Sequence, residues 1–451
     1  MGRNARASAA SGTHERILES ADAQFAMHGY TNTRLADITA DIGMTTGALY
    51  RHFRGKEQLP AALLSDLAQA VPEAVSARSD RRGALQAFVE TLAAHPGALR
   101  LMFERQSWPD TDEVEDAVTA AGLALRPHLR VPVSTERAKV LASFLSELLF
   151  HYARATREGA VEPRRPQDIA SALDTLLDSG IYLAGTHVSE PRPTLQHEVR
   201  LTPFVQWQPS PEKVVPRSTK GIRTRQAIQE AAVRVFESRG LLDVTINDIA
   251  KEADVVAGSI YRYFVDKADI FRSMQAATEE AIIRETQLPL IDGRLALREQ
   301  MLAYLSCYER HLGLIRAWRD LAKPGSDMAA AWNGMRSTFI RRIVAILKYG
   351  QAKGVAREDI DPVLVAQLNS LAYEAGAYAC YVRADPSMQP QVISDLMYRL
   401  FIEGFADPAS GRAPDRGADD ASGGVEPEVR VLPVRSGRRR PPRPRAAGPR
   451  P

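Results

Sequence analysis

A nine-residue stretch near the start of the chain, TTGALYRHF (Thr45–Phe53), returns in its middle as VAGSIYRYF (Val256–Phe264). The similarity runs well beyond these nine residues. Laid without a gap on Thr224–Ile270, the segment Thr13–Leu59 is identical at 13 of 47 positions. The identities include Ile17/Ile228, Ala21/Ala232, Phe25/Phe236, Gly29/Gly240, Ile38/Ile249, Gly47/Gly258, Tyr50/Tyr261, Phe53/Phe264 and Lys56/Lys267. The apolar ones fall at helical spacing, so a packed helical unit is what recurs. The shift of 211 positions far exceeds the roughly 20–50 residues of solenoid repeats. Whatever this chain folds into, it builds twice.

Helical periodicity dominates the rest of the chain and no run alternates as a strand does, so the expected fold class is all-α. Residues 1–11 read as an unstructured arm, 12–65 as a first head and 66–187 as a helical body. Prolines in SEPRPT and QWQPSPEKVVPR mark 188–217 as a linker. A second head over 218–277 and a second body over 278–406 follow. Residues 407–451, rich in Pro, Gly and charge, read as a disordered tail with a basic end at Arg438–Arg440, Arg443 and Arg445. That end is a solvated tail or a site of non-specific phosphate attraction. The 451 residues carry 45% hydrophobic and 25% charged residues, a globular balance. A net charge of +3 does not name a partner, so any nucleic-acid footprint must be local. Two cysteines, Cys307 and Cys380, make neither a disulfide framework nor a metal quartet. The N-terminus lacks the apolar run of a secretory signal, and no window is apolar enough for a membrane span.

Each head reads as three helices. In the first, Ile17, Leu18, Ala21 and Phe25 form a buried stripe that Gly29 closes. A short helix over 35–42, a turn at Gly43 and a second helix from Thr45 to Arg51 or His52 make a helix-turn-helix. The second helix of such a motif enters the major groove and places its first residues on base edges. Here these are Thr46, Gly47 and Ala48, small enough for the backbone to sit deep. Tyr50 and His52 face phosphate and Lys56 adds a phosphate contact. Thr33, Arg34 and the cap Thr45 complete the candidate DNA-facing set. The second head offers Ala257, Gly258 and Ser259 to the groove, with Tyr261, Tyr263 and Lys267 toward the backbone and Thr245 at its edge. Lys220, Arg223 and Arg225 lead into it. Asp254 stands where the turn glycine was; Asp can adopt left-handed geometry, though less freely than Gly. Val256 replaces the capping Thr, a loss of about 1 kcal/mol. In return Thr245 and Asp248 stand at capping-box spacing.

The string ILESADAQFAMHGYTNTRLADITADIGMTTGALYRHFRGKEQL resembles the TetR family of bacterial transcription regulators over about 45 residues. The second copy, AIQEAAVRVFESRGLLDVTINDIAKEADVVAGSIYRYFVDKADIF, is similar with the departures above. The resemblance implies two helix-turn-helix heads (34–53 and 245–264), each followed by a helical ligand-binding and dimerisation domain. It implies a double-stranded DNA operator, an unidentified small-molecule effector, repression, and a cytoplasmic bacterial protein found on the nucleoid when bound. In that frame the apolar helices LASFLSELLFHYARA and IASALDTLLDSGIYLAG of body one are dimerisation surfaces. LVAQLNSLAYEAGAYACYV and QVISDLMYRLFIEGF serve body two in the same way. They pair within the chain as a pseudo-dimer or between chains as a homodimer. Because the heads differ, the expected operator is an imperfect palindrome. Aromatic residues suggest an apolar or aromatic effector: Phe103, Trp108 and Phe144 in body one, and Tyr304, Tyr308, Trp318, Phe339 and Tyr373 in body two. The alternative is a ligand sensor or co-regulator that does not bind DNA or uses a single head, the second being degenerate. Cys307 and His311 share a helix face, but no orienting group accompanies them, so no enzyme, metal or cofactor is expected.

Overall fold

The computed structural model describes residues 2–103, 112–183, 213, 216–274, 297–322 and 326–405. Most of the expected linker, the whole tail over 407–451 and Trp108 lie outside them. Among the described residues the structure is helical, with no strand and a single isolated bridge between Tyr182 and Ala356.

Head one comprises α1 (Gly2–Asn32), α2 (Leu35–Asp41) and α3 (Thr46–Leu49). α1 begins at Gly2, where an unstructured arm is expected. The segment ARASAAS is rich in Ala, the strongest helix former, and simply continues the helix behind it. Ile17, Ala21 and Phe25 are wholly buried, as the stripe requires. Body one contains α4 (Gln58–Ser76), α5 (Arg81–Ala94), α6 (Pro96–Phe103), α7 (Asp112–Leu129), α8 (Thr135–Arg157) and α9 (Pro166–Ser179). Head two comprises α10 (Thr219–Asp243), α11 (Ile246–Glu252) and α12 (Ala257–Tyr263). Body two contains α13 (Leu297–Arg310), α14 (Leu312–Leu321), α15 (Asp327–Ala352), α16 (Pro362–Tyr381) and α17 (Pro390–Tyr398), which ends in a wide turn, Arg399–Glu403.

Head one is bolted to its body through polar groups. The Asp22 carboxylate accepts the Ala98 N–H at 2.7 Å and so caps α6. Burial raises the Asp22 pKa against these hydrogen bonds. Arg100 donates to the Ala26 carbonyl at 3.1 Å, and Arg157 donates to the carbonyls of Pro96 and Ala26. Head two is held differently. Its core, built on Phe236, Phe264 and Phe271, closes with Trp318 of α14 as a cluster separate from the rest. The Trp318 indole donates to the Met328 carbonyl at 3.1 Å and packs edge-on against Trp332. Trp318 is therefore a structural peg, not a pocket wall. Phe144 likewise has no exposed surface and belongs to the main core.

That main core runs without a break from head one through body one into body two. α8 packs on α16, and the end of α9 meets the wide turn after α17. The contacts at this second place come in matched pairs. Ile181 N–H donates to Phe401 O at 2.9 Å, and Phe405 N–H donates to Leu177 O at 2.7 Å. Ile181 and Phe405 are 224 positions apart, as are Leu177 and Phe401. The same shift relates Pro166 to Pro390, Gln167 to Gln391, Ile169 to Ile393 and Gly180 to Gly404. Both glycines have positive φ, 61° and 77°. A side chain on Gly180 would strike the Ile402 backbone, and one on Gly404 the Asp178 backbone. Only glycine allows both the turn and this approach. Residue i touches j while the counterpart of j touches the counterpart of i, the signature of a two-fold interface.

Candidate nucleic-acid interface

The two helix-turn-helix motifs are built by the same local chemistry up to a few substitutions. In head one, Gly43 makes the turn at φ 66°. In head two, Asp254 adopts φ 53° there. The Thr45 hydroxyl accepts the Ala48 N–H at 3.3 Å and caps α3, whereas Val256 offers no cap and stands 74% exposed. The Thr245–Asp248 capping box is present. The Asp248 carboxylate accepts the Thr245 N–H at 2.8 Å, and the Thr245 hydroxyl accepts the Asp248 N–H at 3.2 Å. Bonds from Thr245, with Arg239 at 2.9 Å, hold the Asp248 carboxyl well below the usual carboxylate range. α3 is shorter than expected. Its α-helical part ends at Leu49, and Arg51 and His52 donate instead to carbonyls three residues back, a tightened last turn.

The outward faces then coincide residue by residue. Thr45/Val256, Gly47/Gly258, Tyr50/Tyr261 and Arg51/Arg262 are exposed; Thr46/Ala257 and Ala48/Ser259 are half-buried; Leu49/Ile260 and Phe53/Phe264 are buried. Tyr50 and Tyr261 expose 55% and 49% of their surface, unusual for aromatic residues on a packed head. The Phe anchors are covered alike. His14 stacks on Phe53 at 4.8 Å, and Arg225, at the equivalent position, lies over Phe264 at 5.1 Å with its pKa lowered by burial. A side chain added at Gly47 or Gly258 would meet nothing within 4 Å. Glycine in a helix costs about 1 kcal/mol relative to alanine, and nothing inside the molecule requires it at either place.

Several sequence-predicted residues are placed elsewhere. Thr33 is buried, its hydroxyl donating to the Gly29 carbonyl at 2.8 Å, so it faces α1 and not the surface. Tyr263 is 7% exposed and belongs to the head-two core. His52, the counterpart of Tyr263, is half-buried. Lys267 donates to the Val244 carbonyl at 2.7 Å. Lys56 reaches the Thr31 carbonyl at 3.5 Å and lies over the Tyr30 ring at 4.4 Å, its pKa lowered by burial. Both lysines brace the head from within. The cations left at the surface are Arg34 of the candidate set and two outside it, Arg51 and Arg54. Arg34, Arg51 and Arg54 are exposed, and their guanidinium groups have no partner among the described residues. Head two keeps Arg262 but has Thr245 and Val265 in place of Arg34 and Arg54. It gains a flank instead, where Lys213 donates to the Tyr261 carbonyl at 3.0 Å and Lys220 and Arg223 stand exposed.

In body two, Tyr304 packs edge-on against Tyr373 at 5.2 Å and tilts against Tyr308 at 6.1 Å. Arg336 and Glu374 form a bidentate pair beside them, both bonds at 2.8 Å. Phe339 lies on the same core. In body one, Phe103 packs against His151 and against Tyr378 of body two. Cys307 and His311 do not share a helix: α13 ends at Arg310 and His311 opens α14. Among the described residues no group of three His, Cys, Asp or Glu side chains is arranged to hold a metal, and no helix is long and apolar enough to cross a membrane.

Comparison with known proteins agrees with the geometry. The family model for bacterial regulatory proteins, tetR family, matches twice, at residues 17–63 and 228–274. The HTH-type transcriptional regulator EthR of Mycolicibacterium smegmatis is 20% identical over 196 residues, covering 42% of this chain and 90% of that protein. The HTH-type transcriptional repressor BepR of Brucella suis is 27% identical over 155 residues, 32% of this chain and 74% of that one. The solved regulatory protein TetR from Rhodobacter sphaeroides shares 22% identity over 40% of this chain and 97% of its own, with a TM-score of 0.32. Both heads match the family model, and less than half of the chain spans 90% of one such relative, so the chain carries two TetR-like units, similar to DNA-binding transcriptional regulators.

Proposed function

We propose that the chain is a ligand-responsive repressor that binds an imperfect palindromic operator as an intrachain pseudo-dimer. The observation that carries the DNA-binding part is the pair of recognition faces, alike in exposure, each with a glycine that only an outside partner explains. Around them stand unpaired guanidinium groups, the groups that neutralise phosphate. The matched contacts of Ile181 with Phe401 and of Phe405 with Leu177 support pairing within the chain. The faces are unequal, and so are the half-sites they would read: Thr46/Ala257 and Ala48/Ser259 present different groups to the bases. The effector proposed is apolar or aromatic and sits in body two, where Tyr304, Tyr308, Tyr373 and Phe339 gather. The protein acts in the cytoplasm.

Head two has lost a capping hydroxyl and two arginines relative to head one, which favours a second reading in which only head one reads DNA. Binding of Tyr50→Ala and Tyr261→Ala to a site selected from random DNA separates the two. Weakening by both supports two reading heads. Weakening by Tyr50→Ala alone leaves head two structural, and no effect of either removes the regulator reading.

A further inference from the structure

The surface between the two bodies carries a buried ion pair that its two-fold does not repeat. Glu147 of α8 and Arg383, just past the end of α16, form an ion pair across it, with side chains only 2% and 8% exposed. Beside them the His151 ring packs edge-on against Phe103 of its own body and Tyr378 of the other. Carrying the 224-residue shift along the chain, the counterparts of Glu147 and Arg383 are Leu371 and Gly159. The opposite side of the axis therefore has no such pair.

We propose that Glu147 and Arg383 are the pairing code of this protein: they make body one take body two and refuse a second body one. Of the other crossing contacts, the Arg164–Asp361 pair at 3.3 Å and the Tyr182–Ala356 bridge are likewise one-sided, but the matched ones are indifferent to the choice. The backbone bonds around Gly180 and Gly404 offer the same groups from either side. The helices α9 and α17 both present Pro, Gln and Ile at matching positions. Shape thus admits three pairings, one–two, one–one and two–two. A one–one pairing would set Glu147 against glycine with only its own His151, 3.8 Å away, beside it, and a two–two pairing would set Arg383 against leucine with only its own Asp385 near it. A buried charge that loses its directly bonded partner is strongly disfavoured, so the pair works against like partners as well as for the unlike one. It explains how a duplicated chain whose halves still match in shape closes on itself instead of linking into chains of chains.

This inference rests on the intrachain pairing proposed above, and one set of variants tests each separately. Size-exclusion chromatography with light scattering is run on the full chain, on Glu147→Arg, on Arg383→Glu, on the double variant, and on the two single variants co-expressed. Circular dichroism and thermal melting follow the folding of each. The wild type is expected at single-chain mass. Each single variant is expected to lose that species to larger ones and to melt at lower temperature, and the double variant to regain both. Co-expression is expected to give a one-to-one complex of two chains, because body one of Glu147→Arg matches body two of Arg383→Glu and the reverse pair matches too. Single variants that keep the wild-type mass and midpoint overturn the pairing code. So does a double variant that behaves no better than the singles, including the case in which none of them folds. A wild type of two-chain mass overturns the intrachain pairing itself.

Discussion

At the scale of single residues, the glycines at 47 and 258 separate what the fold needs from what a partner needs. Both sit in short helices with open space where a side chain would be. Replacing either with alanine removes backbone freedom from the unfolded chain and stabilises the head by up to about 1 kcal/mol. The same methyl group stands between the recognition helix and the floor of a groove. Gly47→Ala is therefore predicted to raise the melting temperature and to weaken DNA binding at least tenfold. Melting and a titration with selected DNA check the two halves together. A variant more stable and equally tight would leave the glycine without a DNA-facing role. The exposed Tyr50 and Tyr261 belong to the same argument, while Thr33 and Tyr263 fall outside it. Their hydroxyls looked available from spacing alone. Thr33 finds the Gly29 carbonyl four residues back, and Tyr263 packs into the core of head two.

At the scale of elements, the recognition helices differ in how they start. α3 is capped by a hydroxyl and α12 by nothing. Val256→Thr is predicted to stabilise head two by about 1 kcal/mol, and Thr45→Val to destabilise head one by a similar amount. Chemical denaturation followed at each head reads both. Head two also has a core of its own, closed by Trp318. Phe236→Ala, at a cost of about 3–5 kcal/mol, is predicted to split off a low-temperature transition that leaves the bodies folded. Phe25→Ala perturbs a core continuous with both bodies and is predicted to lower the main transition instead. Calorimetry distinguishes the two. The heads were legible in the sequence because their design is local: caps, a turn with positive φ and apolar positions at fixed spacing. Even the strain at Asp254 could be read from its alignment with Gly43. The lysines were misjudged because Lys56 and Lys267 fold back on carbonyls more than 20 positions away, Thr31 and Val244, which no periodicity signals. The repeated Pro-Gln-x-Ile and the closing Gly of α9 and α17 were visible in the sequence. Their meaning as a two-fold contact was not, because it depends on a close backbone approach between residues 224 positions apart.

At the scale of the whole molecule, the pairing proposed above would turn a dimeric arrangement into a property of one chain. Identical heads oblige a regulator to read a symmetric site, and tethered heads that differ are free of that constraint. Head one brings a capping hydroxyl and three unpaired arginines; head two brings one arginine on its face and a basic flank from Lys220 and Arg223. Each contact with phosphate adds to the salt dependence of binding, so the two half-sites should contribute unequally to it. The direct test is the mass of the complex formed on a duplex selected from random DNA, measured by light scattering together with a footprint of both strands. One chain per duplex, protecting two half-sites of different sequence in successive major grooves, is the predicted result. Two chains per duplex on a symmetric site, with each half equally sensitive to mutation, would contradict it.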